Sequence, residues 1–285
     1  MTEPLITASV WDRIDAIPVV NLDCRPERWA DLLASANGIF PEGKLTRFSA
    51  SYGREIPGFG KPPWFRGKLT DNRWAARAGC TLSHQRIVEK AVSNGWKTVL
   101  VLEDDADFSN VSEVELVAIL ENLLANTRKW DVCYLGYSKA TGPARLVGTV
   151  GGRDLCHVSG CATTHAYLIN TTARDWLLQR LPSVESVWRW TARHRIIDRW
   201  YSWHLSRNLK VIAVSPALVP QAEGYSDIMQ QKVDYNTEFP GRVTHNQTSE
   251  SHLRFACSRI CWRARGFLTL LYDSIRYIRK KYNGF

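Results

Sequence analysis

The sequence predicts an α/β fold in which helices flank a central, mostly parallel sheet. Short apolar runs typical of buried strands alternate with longer segments whose apolar residues recur at helical spacing. The clearest strand is the run Thr-Val-Leu-Val-Leu at 98–102, and such continuous apolar character is typical of central parallel strands. The chain has 285 residues and 45% hydrophobic content, so it can bury a core of its own.

The first half of the chain divides into strands and helices separated by turn residues. Asn37-Gly38 and Asn94-Gly95 each follow a helical segment and mark where it ends. Residues 51–77 are rich in glycine, proline, tryptophan and basic residues without a regular period, so we interpret them as a loop. In order, the predicted elements are strand 16–20, helix 25–37, strand 45–50, helix 78–93, strand 98–102, helix 111–127 and strand 130–135.

The second half is less regular. It predicts a strand at 165–169, a helix at 171–180 and a strand at 210–216, whereas 219–250 is polar and irregular. Residues 143–153 are a weak candidate linker, and one continuous domain is the alternative. We therefore expect a main domain over 1–250, followed by a basic amphipathic tail over 251–285.

The positive charge is concentrated in that tail. The net charge is +9, and residues 254–282 contain eight basic residues and one acidic residue. Five apolar residues step by three or four positions and predict one stripe of a helix: Leu268, Leu271, Ile275, Ile278 and Tyr282. Basic flanks beside such a stripe are typical of attachment to an anionic membrane surface. The alternative is that the stripe docks onto the protein's own core.

The sequence contains no export pattern. Residues 1–10 lack the basic start and long apolar run of a signal peptide, and no stretch reaches the length of a membrane span. The seven cysteines form no Cys-x-x-Cys pair, which is simplest to explain as reduced thiols. We expect a cytoplasmic location, with a peripheral position on the inner face of the membrane through the tail.

An acidic cluster, Glu103-Asp104-Asp105-Ala106-Asp107, directly follows the clearest strand. Ligands of open α/β sheets bind at the carboxyl ends of strands, and carboxylates packed there repel one another unless a cation lies between them. We predict a Mn²⁺ or Mg²⁺ site with Asp105 and Asp107 as ligands, shared with a substrate phosphate. The alternative is a solvated helix start, because acidic residues also favour helix N-termini.

Several motifs occur in one order between about 15 and 230. They are Asn-Leu-x-x-Arg-x-x-Arg at 21–28, Phe-x-Ala-x-x-Gly at 48–53, Gly-x-x-x-Ser-His at 79–84 and Leu-Glu-Asp-Asp at 102–105. Looser matches follow at 166–169, Ile197-Asp198, 216–221 and Ser226. Together these motifs resemble glycosyltransferase family 25, which includes bacterial lipopolysaccharide β-galactosyltransferases and collagen galactosyltransferases.

This resemblance implies a GT-A fold, a UDP-sugar donor, usually UDP-galactose, and transfer with inversion. It does not identify the acceptor, for which we expect an oligosaccharide or lipid-linked glycan. His245 is a further candidate metal ligand, although a solvent-facing histidine is commoner. The alternatives are a helix surface for the two arginines of the first motif and a structural role for the histidine of the third. The resemblance assigns the donor site to Asn21, Arg25, Arg28, Ser83, His84, Glu103, Asp104, Gln221 and Ser226.

Asp198 is the candidate catalytic base. An inverting transferase needs one base to take the proton of the attacking acceptor hydroxyl. The alternatives are a helix cap or an ion pair with Arg195 or Arg199. Four nearby tryptophans are candidates for stacking on sugar rings, with core packing or membrane-interface contact as the alternatives: Trp188, Trp190, Trp200 and Trp203.

Two other functions compete with glycosyl transfer. A nucleic-acid-binding module would explain the charge, but the tail holds most of that charge and leaves the body near neutral. A metal-dependent phosphatase or nucleotidyltransferase would explain the acidic cluster, but not the Ser-His and Asn-Leu-x-x-Arg-x-x-Arg motifs. We therefore expect an enzyme that moves a sugar from a UDP-sugar and binds no nucleic acid.

Overall fold

A computed structural model describes residues 9–234, 241–244 and 251–285. These residues form an eight-stranded sheet, a two-stranded hairpin and seven α-helices. The strands are β1 Ile17–Asn21, β2 Leu45–Ser49, β3 Thr98–Glu103, β4 Val132–Gly136, β5 Lys139–Val150, β6 Arg153–Ala162, β7 Ala166–Asn170, β8 Val211–Ser215, β9 Gly224–Ser226 and β10 Gln231–Val233. The helices are α1 Pro26–Ser35, α2 Asp71–Ser93, α3 Glu113–Ala125, α4 Thr171–Leu178, α5 Val187–His194, α6 Ile197–Asn208 and α7 His252–Asn283.

The order across the large sheet is β2-β1-β3-β7-β4-β8-β6-β5. β1 pairs in parallel with β2 and β3, and β4 pairs in parallel with β8. β7 and β6 run against their neighbours, so six of the eight strands point the same way. The predicted fold class, an α/β fold with a mostly parallel sheet flanked by helices, is confirmed.

Both faces of the sheet are covered by helices. Successive residues of β3 point to opposite faces, as the period of a strand requires. Leu100 and Leu102 pack into one core cluster with apolar residues of α1 and α3. Val99 and Val101 pack into a second cluster with residues of α2, α4 and α6. Burial on both sides explains why the 98–102 run is apolar throughout.

The candidate linker at 143–153 is wrong. β5 and β6 pair antiparallel from Lys139↔Ala162 to Val150↔Arg153 and form the longest hairpin of the sheet. Gly151 and Gly152, both at positive φ, form its turn, and such a glycine pair is a common hairpin signal. Helix α2 also begins at Asp71, seven residues before the predicted start at 78, and helices α5 and α6 were not predicted.

The tail forms one continuous helix, α7, of 32 residues. It packs against α5, α6 and β5 through one face, which buries Phe255 and Asp273. Beyond it, the C-terminal Phe285 is inserted into a cluster of aromatic residues, where its ring stacks 4.6 Å from that of Trp74. None of the helices within the described ranges has the length and apolar character needed to cross a bilayer.

Candidate active site

The candidate site lies where the carboxyl ends of β1 and β3 meet. Val20 pairs with Glu103 across these parallel strands, and the Asp104 N–H donates to the Val20 carbonyl at 3.1 Å. This register places Asn21 beside Asp104, and the Asn21 amide donates to Asp104 Oδ2 at 2.7 Å. Arg47 Nε donates to the other end of the Asn21 amide, at 2.7 Å. Asn21 is thus buried with both ends of its amide bonded, and it orients the first aspartate of the cluster.

Arg28 reaches both aspartates from helix α1. Its guanidinium lies 2.8 Å from Asp104 Oδ1 and 3.2 Å from Asp105 Oδ2. Pro26 occupies the first turn of α1, where its fixed φ favours helix initiation. Arg28 lies half a turn further along and points into the cluster. Burial opposes its charge, but the carboxylates of Asp105, Asp104 and Glu103 raise the pKa of Arg28.

Two adjacent carboxylates of the cluster have opposite pKa shifts. Burial raises the pKa of Asp104 to about 7, with Arg28 opposing the rise and Asp105 adding to it. Burial also opposes the charge of Glu103, yet His84 and Thr164 lower the pKa of Glu103 to about 2. Glu103 is therefore held ionised by its hydrogen bonds, whereas Asp104 carries a proton more readily.

His84 is fully buried and links helix α2 to the sheet. Its Nε2 lies 3.2 Å from Glu103 Oε1, and its Nδ1 lies 2.9 Å from the Tyr167 hydroxyl. Thr164 donates to the same Glu103 oxygen at 2.6 Å. Ser83 donates to the Gly79 carbonyl and accepts the Ser51 N–H at 2.9 Å. Both residues of the Ser-His motif thus hold the wall of the site in position.

Two motif glycines allow helix α2 to approach the loop after β2. A Cβ added at Gly79 would lie 2.4 Å from the Ser51 carbonyl oxygen. A Cβ added at Gly53 would lie 1.9 Å from the Ala75 carbonyl oxygen. Both obstacles are backbone atoms, so neither position accepts a side chain without moving the chain. The Phe-x-Ala-x-x-Gly and Gly-x-x-x-Ser-His motifs are therefore two halves of one contact.

The segment after β8 closes the site beside the acidic cluster. The Gln221 amide donates to Asp105 Oδ2 at 2.8 Å, and the Ala222 N–H donates to the Asp105 carbonyl at 2.7 Å. Asp105 Oδ1 and Gln221 Oε1 are buried without a hydrogen-bond partner. Asp107 does not line the cavity described below; its carboxylate accepts the Ser109 N–H at 2.9 Å within a turn. Of the two predicted metal ligands, Asp105 lines the cavity and Asp107 does not.

The hairpin of β9 and β10 forms the outer wall of a cavity of about 530 Å³, which we call the main cavity. Arg25 Nη2 lies 3.2 Å from Asp227 Oδ1 and joins α1 to this hairpin. Ser226 lies on the same hairpin, and its hydroxyl accepts the Met229 N–H at 3.1 Å. The candidate residues that line the cavity are Arg25, Arg28, Ser83, His84, Glu103, Asp104, Asp105 and Ser226. Asn21 and Gln221 support it from behind through their bonds to the aspartates.

Asp198 lies at the start of α6, outside the lining of the main cavity. Its carboxylate accepts the Arg199 N–H, and burial raises its pKa. The charge of Asp198 also acts on Cys80, which does line the cavity.

Among the described residues, the four candidate tryptophans are absent from the lining of this cavity and of three others. Trp188 and Trp200 are buried in the core, and Trp203 stacks 4.3 Å from Trp262 of α7. For Trp188 and Trp200 the structure therefore shows core packing, one of the alternatives. His245 lies outside the described residues.

A second cavity of about 850 Å³ adjoins the main cavity at the loop after β2. Leu22, Cys24 and Tyr52 are among the residues that line both. The Tyr52 side chain is 40% exposed and therefore presents an aromatic ring at the junction. The sequence analysis did not predict a role for Tyr52. Its position inside the Phe-x-Ala-x-x-Gly motif could have indicated that it lies near the site.

Two sets of side chains could hold a divalent cation. Asp104, Asp105 and the bonded Gln221 offer oxygen atoms alone, and two of these oxygens have no partner, which fits Mn²⁺ or Mg²⁺. Among the described residues, Cys80, His84 and Glu103 also place their donor atoms within 4.8 Å of one another. Burial raises the pKa of the Cys80 thiol well above its usual range, so this second set presents a protonated sulfur. The oxygen set is the better match for a hard cation.

Comparison with known proteins agrees with this geometry. Residues 19–142 match the family model described as glycosyltransferase family 25 (LPS biosynthesis protein). Inactive glycosyltransferase 25 family member 3 of Mus musculus is 26% identical over 264 residues, covering 84% of this chain and 43% of that protein. Its Homo sapiens counterpart is 28% identical over 179 residues, covering 59% and 29%. Procollagen galactosyltransferase 2 of Homo sapiens is 23% identical over 176 residues, covering 58% and 26%.

These matches indicate the class of the protein: its first half is similar to a glycosyltransferase domain. The matched region, from β1 to the start of β5, is similar to glycosyltransferase family 25, the family that the motifs resemble. The chain covers less than half the length of these curated relatives.

Proposed function

We propose that the chain transfers a sugar, with galactose as the first candidate, from a UDP-sugar to a hydroxyl of a glycan. The observation that carries the proposal is the group formed by Arg28, Asp104 and Asp105 in the main cavity, with an unpartnered Asp105 oxygen. A nucleoside diphosphate needs both features, because arginine binds phosphate oxygens and carboxylates hold the cation that phosphates share. Galactose is supported by the relative named Procollagen galactosyltransferase 2. An acceptor from lipopolysaccharide is supported by the name of the matching family, which refers to LPS biosynthesis.

The residues divide the work of transfer. The acceptor oxygen attacks the anomeric carbon, the bond from that carbon to the diphosphate oxygen breaks, and UDP leaves. A bound Mn²⁺ or Mg²⁺ would neutralise charge on the diphosphate. Arg25 and Arg28 supply further positive charge to it, and Asn21 keeps Asp104 oriented. Asp198 is the proposed base that takes the acceptor proton.

The second cavity is the proposed acceptor space. It opens from the main cavity at Tyr52, and it contains charged and polar groups from Asp23, Glu55, Arg86 and Glu89. Sugar hydroxyls bond to such groups, and an exposed aromatic ring provides an apolar surface for a sugar face.

The test is UDP release and glycoside formation with UDP-galactose, Mn²⁺ and a glycan acceptor. We expect turnover that depends on acceptor and is lost in excess EDTA. Asp105→Asn should reduce it by at least about 100-fold, since it removes charge where the diphosphate develops its own. Asp107→Asn is the matched comparison, because Asp107 belongs to the same cluster but lies outside the cavity. Full turnover with EDTA, or equal losses in both variants, would overturn the assignment of the cation to Asp104 and Asp105.

Binding without transfer is the second candidate. The observation in its favour is that two of the relatives above carry the word inactive in their names. The same experiment separates the candidates, because a binding protein would take up UDP-galactose without releasing UDP or forming product.

A further inference from the structure

Helix α7 exposes an apolar stripe along its whole length. The stripe residues are between 54% and 74% exposed: Leu253, Ile260, Leu268, Leu271, Ile275, Ile278 and Tyr282. Phe267 and Tyr272 lie beside this stripe and are 68% and 61% exposed. A 32-residue helix is about 48 Å long. The surface is therefore a long apolar strip, far more than the scattered apolar residues of an ordinary surface.

The opposite face of α7 already packs on the body. Asp273 is buried and accepts from Arg199 at 2.9 Å, and Trp262 stacks on Trp203 at 4.3 Å. Arg259 donates to the Ser206 carbonyl at 2.6 Å. Turning the stripe inward would break these contacts. The stripe predicted from the sequence therefore faces outward, and the packing of α7 uses a different set of residues.

Exposed positive charge borders the stripe on both sides. The exposed cations of α7 are Arg254, Arg263, Arg265, Arg279 and Lys281. In helical projection, Arg254, Arg265 and Arg279 lie on one flank, and Arg263 and Lys281 lie on the other. The single acidic residue of the helix, Asp273, is on the buried face. The charged residues on the outward face of α7 are thus all cations, and they lie beside the apolar side chains of the stripe.

We propose that this face of α7 lies on the surface of an anionic lipid bilayer. The apolar stripe enters the boundary between headgroups and acyl chains, and the flanking cations pair with anionic headgroups. Aromatic side chains such as Phe267 and Tyr272 favour the same boundary. A second copy of the chain fits this face less well, because two such helices would bring their rows of cations together without an exposed acid to pair them.

The experiment is co-sedimentation of the full chain with vesicles of phosphatidylcholine alone or mixed with phosphatidylglycerol. We expect binding to the anionic vesicles, little binding to the neutral ones, and weakening as salt rises. Arg265→Gln/Arg279→Gln/Lys281→Gln should lower affinity about 100-fold. Leu268→Gln/Leu271→Gln/Ile275→Gln should lower it at least about 10-fold.

Matched controls use residues of the same kind elsewhere. Leu69 and Val114 are 96% and 78% exposed and lie off α7, so Leu69→Gln/Val114→Gln should leave vesicle binding unchanged. Lys61→Gln/Arg128→Gln/Lys129→Gln removes three exposed cations from other surfaces. We expect it to lower vesicle affinity less than the triple variant of the α7 cations does. Circular dichroism confirms that each variant is folded.

Two results would overturn the proposal. One is equal binding of the stripe variant and the unchanged chain to anionic vesicles. The other is a dimer in sedimentation velocity that the stripe variant abolishes while vesicle binding stays absent, which would assign the face to a second copy. Neither result depends on whether the main cavity transfers a sugar.

Discussion

Arg28 donates to Asp104 across 2.8 Å, and the same guanidinium nitrogen lies 3.2 Å from Asp105. The arginine thus stands where the two carboxylates repel each other most, and a cation shared with a diphosphate would serve the same purpose. Burial still raises the pKa of Asp104 to about 7 with the arginine in place. The pair therefore needs positive charge, and Arg28 can supply it to the carboxylates or to a phosphate.

The first prediction concerns Arg28→Gln. Loss of the guanidinium removes a charge-assisted contact to the diphosphate, so UDP affinity should fall about 10- to 100-fold. Isothermal titration with UDP and Mn²⁺ measures it. Arg174→Gln is the control. Arg174 forms an ion pair with Asp175, with 2.7 Å between their charged atoms, and it does not line the cavity. Unchanged UDP affinity in a folded Arg28→Gln protein would remove Arg28 from the donor site.

The second prediction separates the two roles open to Asp198. Asparagine keeps an oxygen that accepts the Arg199 N–H, so Asp198→Asn should preserve stability. It cannot take a proton, so turnover should fall at least about 100-fold if Asp198 is the base. The dissociation constant for the UDP-sugar, measured separately, should stay the same. Normal turnover in Asp198→Asn, with loss of stability in Asp198→Ala, would establish a structural role instead.

The sheet and the inner part of the site follow from local sequence. The apolar run of β3 and the acids behind it identify one strand end, and parallel neighbours bring Asn21 to the same edge. The contacts that complete the site join distant residues. Gln221 lies 116 residues from Asp105, and Asp227 lies 202 residues from Arg25. No local period encodes such pairings, because they depend on how β8 and the β9–β10 hairpin are placed by the whole fold.

Local patterns also misled in identifiable ways. The Trp-rich stretch indicated a sugar-binding surface, but large aromatic side chains contribute most to packing, and Trp188 and Trp200 are buried. Asp107 has the spacing of a metal ligand from Asp105, yet the chain turns after Glu103 and directs Asp107 to the Ser109 N–H.

The third prediction tests the contact between the two glycine motifs. Gly79→Ala places a methyl group 2.4 Å from the Ser51 carbonyl oxygen, so the helix or the loop must move. We expect a loss of about 2 kcal/mol in unfolding free energy, measured by urea titration. Gly148→Ala is the control, because nothing lies within 4 Å of its added Cβ. Equal stability of the two variants would show that helix α2 and the loop after β2 leave room for the added methyl group.

The fourth prediction concerns Tyr52, which lines both cavities and is 40% exposed. Tyr52→Ala should raise the KM for acceptor about 10-fold while leaving UDP affinity nearly unchanged, because its ring stands at the junction of the two cavities. Tyr52→Phe keeps the aromatic face and should restore most of the acceptor affinity. A rise in the UDP dissociation constant without a change in acceptor KM would move Tyr52 to the donor side.

The last prediction follows from two histidines packed around Trp200. The His204 ring stacks 4.9 Å from Trp200, and the His194 ring lies 5.7 Å from His204. Burial lowers the pKa of His194 to about 3 and of His204 to about 4. Nearby cationic groups lower both pKa values further. Arg193 and Arg199 act on both histidines, His204 and Arg276 act on His194, and Arg207 acts on His204. Asp273 opposes the shift by raising the pKa of His204.

An unfolded histidine takes up a proton near pH 6.5, whereas these two remain neutral in the folded chain. The unfolded state therefore takes up protons as the pH falls through 6.5, and the free energy of unfolding should decline. The slope approaches about 1.4 kcal/mol per pH unit for each histidine well below pH 6.5. Urea titrations at pH 7, 6 and 5.5 measure this slope. His204→Phe keeps the stack on Trp200 without a titrating group. Its free energy of unfolding should therefore decline less steeply with falling pH, by the contribution of one histidine. An identical slope in His204→Phe would show that His204 is not held neutral by the fold.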